Sequence, residues 1–598
     1  MTSPSVIVIG GGVGGLTAAH ELAERGFSVE VYETRGAWGG KARSQPVAGT
    51  GTAGRRDLPG EHGFRFYPRF YKHVIDTMQR IPLGSGSVAD GLRGTTESAI
   101  AMVDDTTWFR FYRRRVTKPY DILEALELFF DECCFDAEDM ALFSAKVLQF
   151  LTTCEARRLA EYEVMSWWDF LDGGRYSQAF QRQLRAVPRT MVAMDPKRGS
   201  ARTVGTISMQ LILDFAATGV NNDRTMGGPT TEMWIEPWRA HLQSLGVQLH
   251  AGTAVTKLDV SGGAISGVEL AGGGTKTADF YVLAVPLDVA IGMITPEMGA
   301  LDPALETLRH EDADNLVSWM TGIQYFLYED VPLVRGHTFY PDSPWALTSI
   351  SQPQFWRDSG GLFRRRYGAG DVGGLLSIDI SDWNTPGTFI PKTAKQCTPD
   401  EIAKEVWEQL KAALNGKAPG ELVLTDELLH SWHLDDDLDY SSGALPPVNH
   451  ARLLVHPPGH WELRPEAASA IPNLVLASDY VRTNTNLASM EGASEAARRA
   501  VNAILQRSAS TAAPAGVWEL EEPAQFALWK RLDERLHQHG HRHVFELLGL
   551  QRAAQIADLM RRFGDATGIS KVEDVIAQIR PSAIIKNVLG RLGVNVAN

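Results

Sequence analysis

Val6-Ile-Val-Ile-Gly10-Gly-Gly12-Val-Gly14-Gly15-Leu-Thr-Ala-Ala-His-Glu-Leu22, followed by Val29-Glu-Val-Tyr-Glu33, decides how the rest of this chain is read. The β-branched run reads as a buried parallel strand, the glycines as a tight turn into a helix, and Val29–Glu33 as a second strand ending on an acid. Gly10 permits the turn, Gly12 lets a pyrophosphate approach the backbone, and Gly15 lets helix pack on strand. The helix N-terminus offers free N–H groups and partial positive charge to phosphates. Glu33, 18 residues past Gly15, is placed to accept hydrogen bonds from a ribose. Strand, glycines, helix and terminal acid in this order predict a dinucleotide site.

The chain has 598 residues, enough for two or three domains, and its 44% hydrophobic and 22% charged content is that of a globular protein. A net charge of −14 argues against a nucleic-acid partner. Four cysteines (Cys133, Cys134, Cys154, Cys397) form no C-x-x-C pair and suit a reducing compartment. No basic n-region precedes the first apolar run and no stretch is long enough to span a bilayer. The expected location is therefore cytoplasmic, with peripheral contact at the inner membrane face left open.

Directly behind Glu33 stands Thr34-Arg35-Gly-Ala-Trp-Gly39-Gly40-Lys41-Ala-Arg43-Ser44. This R-x-x-x-G-G-K-x-x-S stretch resembles the signature of FAD enzymes of the amine oxidase and phytoene desaturase superfamily. Lys41 and Arg43 can neutralise pyrophosphate charge. Further on, Glu61-His62-Gly63-Phe64-Arg65-Phe66-Tyr67-Pro68 is similar to the segment that passes along the flavin ring in carotenoid desaturases. Near the other end, Asp479-Tyr-Val-Arg482, then Ala488-Ser489-Met490-Glu491-Gly492-Ala493, resembles the C-terminal FAD motif in its desaturase version. There Asp479 can take a ribityl hydroxyl, and the helix starting near Met490 aims its N–H groups at the flavin edge.

The resemblance, closest to phytoene and zeta-carotene desaturase-like and hydroxysqualene dehydroxylase-like flavoproteins, covers residues 5–505. It implies an α/β fold: a Rossmann-type FAD-binding domain of the two-dinucleotide-binding kind, an interleaved α+β substrate domain, and a helical C-terminal appendix. The expected divisions are 1–80, 235–290 and 470–506 for the FAD domain and 81–234 for a helical substrate region. Residues 291–469 would form the substrate sheet, 507–522 a linker and 523–598 the appendix. FAD would rest on Gly10, Gly12, Gly14, Gly15, Glu33, Arg35, Gly39, Gly40, Lys41, Arg43, Gly63, Phe64, Arg65, Val255, Asp479, Ser489, Met490 and Glu491. No second glycine fingerprint marks an NAD(P) domain.

The implied chemistry is hydride removal from an apolar, isoprenoid substrate to flavin N5, giving desaturation. Amine or amino-acid oxidation releasing peroxide, and redox-neutral isomerisation, stay open, as do the electron acceptor (oxygen or a quinone) and the oligomeric state. No catalytic set is legible; Glu61, His62 and Arg65 are the candidates, His62 reading more readily as a hydrogen-bonded core residue than as a proton carrier. His430-Ser-Trp-His433-Leu-Asp435-Asp-Asp437 lacks a regular ligand register and is expected to be a solvated loop, not a metal site. The region 70–245 shows little strand signal. Its aromatics (Trp108, Phe109, Phe111, Tyr112, Phe129, Phe130, Trp167, Trp168) belong to core or channel, and Arg110, Arg113, Arg114 and Arg115 to a solvated face or lipid contact. His537, His539, His541 and His543 lie at an expected helix–helix turn.

Overall fold

The apolar run at the start becomes the middle strand, Ser5–Ile9, of a five-stranded parallel sheet in a computed structural model of the chain. The structure describes residues 3–104, 108–112, 136–192, 194–216, 223–356, 363–416 and 424–548. The sheet order is Gln248–Ala251, Ser28–Glu33, Ser5–Ile9, Phe280–Leu283, Leu474–Leu476, with every neighbouring pair parallel. Val6, Ile7, Val8 and Ile9 are all buried, because helices cover both faces of a parallel sheet and leave no side for polar residues. Helix Val13–Glu24 packs against helix Met490–Arg507, so segments from both ends of the sequence share one core. A small antiparallel sheet, Val255–Ser261, Ala264–Leu270 and Thr275–Lys276, stands beside it.

A seven-stranded sheet forms the second domain, in the order Trp108–Tyr112, Glu97–Ala101, Gly336–Phe339, Leu347–Ser351, Gly374–Ile380, Thr321–Leu327, Leu429–Leu434. Its two central strands send alternate residues to opposite faces. Ile323, Tyr325, Leu376, Ile378 and Ile380 join one core with helix Pro399–Leu414. Gly322, Gln324, Ser377 and Asp379, one step out of phase, face the opposite way. Segment Leu58–Arg65 crosses from the FAD-type domain onto this second face. Gly322 N–H donates to the His62 carbonyl at 2.6 Å, and Gln324 exchanges bonds with the Glu61 backbone at 2.9 and 3.2 Å. A Cβ at Gly322 would lie 2.6 Å from the His62 carbonyl oxygen, so only glycine lets the segment lie flat there.

Helices Ala137–Thr152, Gln178–Val192 and Ala201–Ala216 build a third layer around Phe150, Trp167, Phe170 and Phe180. Helix Ala527–Gln538 of the expected appendix supplies Trp529, Leu532 and Leu536 to that same core. It is locked there by Asp533, fully buried, against Arg157 at 2.9 Å and the Cys154 N–H at 2.9 Å. A turn at 539–543 follows, and His543 is buried beside Thr152.

Three expectations are corrected. Strands Glu97–Ala101 and Trp108–Tyr112 sit in a region expected to be helical, stabilised by pairing with distant strands rather than by local pattern. Residues 507–522 do not hang free: Ala515 is buried, Asn502 bonds its backbone, and Trp518 packs on His73 and Arg498. His430–Leu434 is strand, and Asp435 and Asp437 beyond it are buried, not solvated. Arg110 pairs with Glu97 at 3.4 Å. Phe129, Phe130, Arg113, Arg114 and Arg115 lie outside the described residues, as do the expected helix at 120–135 and the appendix beyond 548. Among the described residues no helix is long and apolar enough to cross a membrane.

Candidate active site

All five parallel strands run out at one cavity of about 520 Å³. Ile9 and Gly10, Glu33, Ala254 and Val255, Ala284, and Ala477 to Asp479 line it in turn, at the carboxyl edge where open α/β sheets place their ligands. Helix Val13–Glu24 begins there with Gly12 as its N-cap and no capping side chain, so its first N–H groups stay available. The glycines divide by what surrounds them. A Cβ at Gly15 would lie 1.9 Å from the Gly10 carbonyl oxygen and one at Gly14 2.3 Å from that of Ala477, so these two serve packing. A Cβ at Gly12 would approach only the Gly40 Cα, at 3.9 Å, and its space opens into the cavity. That opening, with an uncapped helix end behind it, is a cradle for a dinucleotide pyrophosphate.

Glu33 is buried, its two oxygens accepting from Gly11 N–H at 2.7 Å and Arg35 N–H at 2.8 Å, with lone pairs left for a ribose. Gly39 and Gly40, both with positive φ, and Lys41 line the cavity beside it. At the far end of the sequence, Asp479, Ser489 and Met490 line it too, and Ser489 caps helix Met490–Arg507 by accepting from Gly492 N–H at 3.1 Å. Arg464, which the sequence did not flag, fixes this loop. Its buried guanidinium donates to the carbonyls of Asp479, Tyr480 and Val481 and to the Asn486 side chain.

Several candidate residues have other work. Arg43 is outside the lining: it donates to Asp437 at 2.8 Å and to the Gly40 carbonyl, so the charge expected at a pyrophosphate is taken by a buried carboxylate. Arg35 reaches the same Asp437 at 3.0 Å, and the Lys41 ammonium donates to the Arg452 carbonyl. Glu491 is not at the cavity: its carboxylate accepts the N–H groups of Lys72, His73 and Val74 and thereby caps helix His73–Gln79. Glu61 is also behind the wall, held by Ser44 and the Thr230 N–H, with burial raising its carboxyl above the usual range.

The remaining wall comes from the crossing segment and the seven-stranded sheet: His62, Gly63, Phe64, Arg65 and Phe66 above, His337, Phe339, Thr348 and Asp379 below. His62 Nδ1 bonds Asp435. Burial alone would raise the Asp435 carboxyl, but His62, the Asp437 N–H and Gln45 at 2.5 Å together hold it below the usual carboxylate range. Arg65 donates to the Lys41 carbonyl at 2.9 Å. Asp379, His337 and Thr348 had no signal in the sequence; each stands among other polar residues of a short strand, with Ser377, Thr338 and Ser349 respectively nearby.

A family profile described as flavin containing amine oxidoreductase matches residues 13–505. The chain belongs to that family. As a flavin-containing amine oxidoreductase it is an FAD-dependent enzyme, and the Gly12 cradle, Glu33 and the capped helix at Ser489 fit FAD. The carotenoid phi-ring synthase of Streptomyces griseus is 23% identical over 519 residues, 84% of this chain and 88% of that one. Cyclohexylamine oxidase from Brevibacterium oxydans IH-35A superposes with a TM-score of 0.54 at 14% identity, covering 85% of this chain and 100% of the other. A putrescine oxidase does so with a TM-score of 0.55 at 13% identity, covering 84% and 99%. These likenesses to solved structures establish the shared fold.

Proposed function

We propose that this flavoenzyme desaturates an apolar, isoprenoid substrate of carotenoid or squalene type, the hydride passing from substrate carbon to flavin N5. The observation that carries the reading is the lining beside the seven-stranded sheet, where Phe64, Phe66 and Phe339 present apolar surface. Tyr480, which an amine oxidase reading would need at the flavin face, is 1% exposed and is not part of the lining. The relatedness to a carotenoid phi-ring synthase supports the same substrate class.

Bound FAD supplies acceptance of two electrons as hydride. The chain's own residues supply position and exclusion of water. The crossing segment Leu58–Arg65 ties the cofactor domain to the substrate sheet, so that substrate and cofactor meet in fixed register. Phe64, Phe66 and Phe339 keep water from the reacting carbon. An electron acceptor, oxygen or a quinone, would reoxidise the enzyme between turnovers, and a peripheral membrane contact would deliver so apolar a substrate.

The test is anaerobic mixing of the holoprotein with lycopene, β-carotene and squalene in detergent, and separately with mono- and diamines. Bleaching of the flavin by an isoprenoid is the expected result. Bleaching by amines alone, with peroxide on admission of air, would overturn the proposal, as would product formed from the isoprenoid with no acceptor consumed.

A further inference from the structure

Three strands of the seven-stranded sheet set one row of side chains beneath the cavity. In antiparallel register Phe339 stands opposite Thr348, and Thr348 opposite Asp379, which puts all three on one face. Asp379 is only 5% exposed, and its Oδ1 has no hydrogen bond from the protein. Thr348 Oγ1 beside it and Arg65 Nε above it are buried without partners as well. Buried polar atoms are nearly always paired, and all three of these residues line the cavity, which points to a ligand atom that completes them.

The space for this carboxyl is built in. A Cβ at Gly63 would lie 2.6 Å from Asp379 Oδ1, so glycine there lets the segment sit directly over the acid. The countercharge is weak because Arg65 is committed elsewhere, to the Lys41 carbonyl and toward Glu61 at 3.7 Å. Burial therefore dominates and pushes the carboxyl up to about 7, with Arg65 and the Phe64 N–H pulling it down and Asp435 adding to the rise. A group so placed exchanges protons at neutral pH. The other charged or titratable groups around it are Arg65 and His62 on the overlying segment, Asp435 behind His62, and His337 on the strand that carries Phe339. The neighbouring strand Thr321–Leu327 contributes none.

We propose that Asp379 is the catalytic base of this site. The inference rests on the desaturation reading and supplies its missing half. One C–H bond breaks with its electron pair leaving as hydride to the flavin. The C–H bond on the adjacent carbon breaks with its pair becoming the π bond, and that proton passes to the Asp379 carboxylate. The substrate loses two electrons and the flavin gains two. Gly63 leaves room for the carboxyl at the cavity wall, and His62, engaged with Asp435, is a positioning residue.

The experiment uses holoprotein with β-carotene and lycopene as probes under anaerobic conditions, comparing wild type, Asp379→Asn, Asp379→Glu and His62→Gln. Asp379→Asn is expected to retain FAD and its visible spectrum while bleaching falls about 100-fold or more. Asp379→Glu should restore part of the rate, and the wild-type rate should climb through about pH 7. Without any substrate, a pH titration of the flavin spectrum should show one ionisation near neutrality that Asp379→Asn abolishes. Asp379→Asn bleaching at the wild-type rate, or keeping that ionisation, overturns the inference. So does a loss of bleaching confined to His62→Gln. If neither polyene bleaches wild type, the desaturation reading falls and takes this inference with it, an outcome distinct from failure of the Asn variant alone.

Discussion

Gly12 and Gly15 are three residues apart and do opposite things. Gly12→Val is expected to purify colourless and to melt where wild-type apoprotein melts, since its side chain would enter the cavity and meet no protein wall. Gly15→Ala, with a methyl 1.9 Å from a carbonyl oxygen, is expected to lower the melting temperature even before cofactor is considered. Asp379 gives a second contrast. Its carboxyl is pushed up to about 7, above the ordinary 3.8, so the folded protein holds a proton that the unfolded chain releases. Stability from this group is greatest near pH 4 and is lost as pH rises through about 7. Asp379→Asn should therefore melt higher than wild type at pH 8, by on the order of 3 kcal/mol, with the gap closing toward pH 4. The glycine fingerprint was legible because its meaning is local. Asp379 was not, because Gly63, Arg65 and Thr348, which make it special, come from other segments. Arg43 was misassigned for the same reason: its partner Asp437 is 394 residues away.

The C-terminal motif reads clearly as strand, loop and helix, but sequence does not say which helix Glu491 serves. Its carboxylate satisfies three backbone donors of helix His73–Gln79 and the His73 ring, linking the start of one helix to the start of another. Glu491→Ala should cost about 3 kcal/mol, read by chemical denaturation, because it leaves buried N–H groups unpaired. Arg464 works on the loop before it. Arg464→Met is expected to release FAD on dialysis while the far-ultraviolet dichroism stays that of wild type, since the guanidinium organises three successive carbonyls around Asp479. The sheet that holds Gly374–Ile380 and Thr321–Leu327 was legible only as what the resemblance implies for residues 291–469. The edge strands Glu97–Ala101 and Trp108–Tyr112 were not, since their pairing partners, not their composition, make them strands.

At the scale of the whole molecule the appended helix Ala527–Gln538 behaves as part of the enzyme. Asp533→Ala removes one of the two carboxylates paired with buried Arg157, leaving Glu161 at 2.7 Å, and strips the Cys154 N–H of its acceptor; it should cost about 1–3 kcal/mol, seen as early proteolytic release of the segment after residue 523. The order of strands has a further consequence for how the protein comes into being. Strand Leu474–Leu476 completes the cofactor sheet by pairing with Phe280–Leu283, itself the neighbour of Ser5–Ile9. A chain emerging from the ribosome therefore carries an open, unfinished sheet edge until residues 474–476 appear, and its flavin cradle stays incomplete until Asp479 and Ser489 have been made.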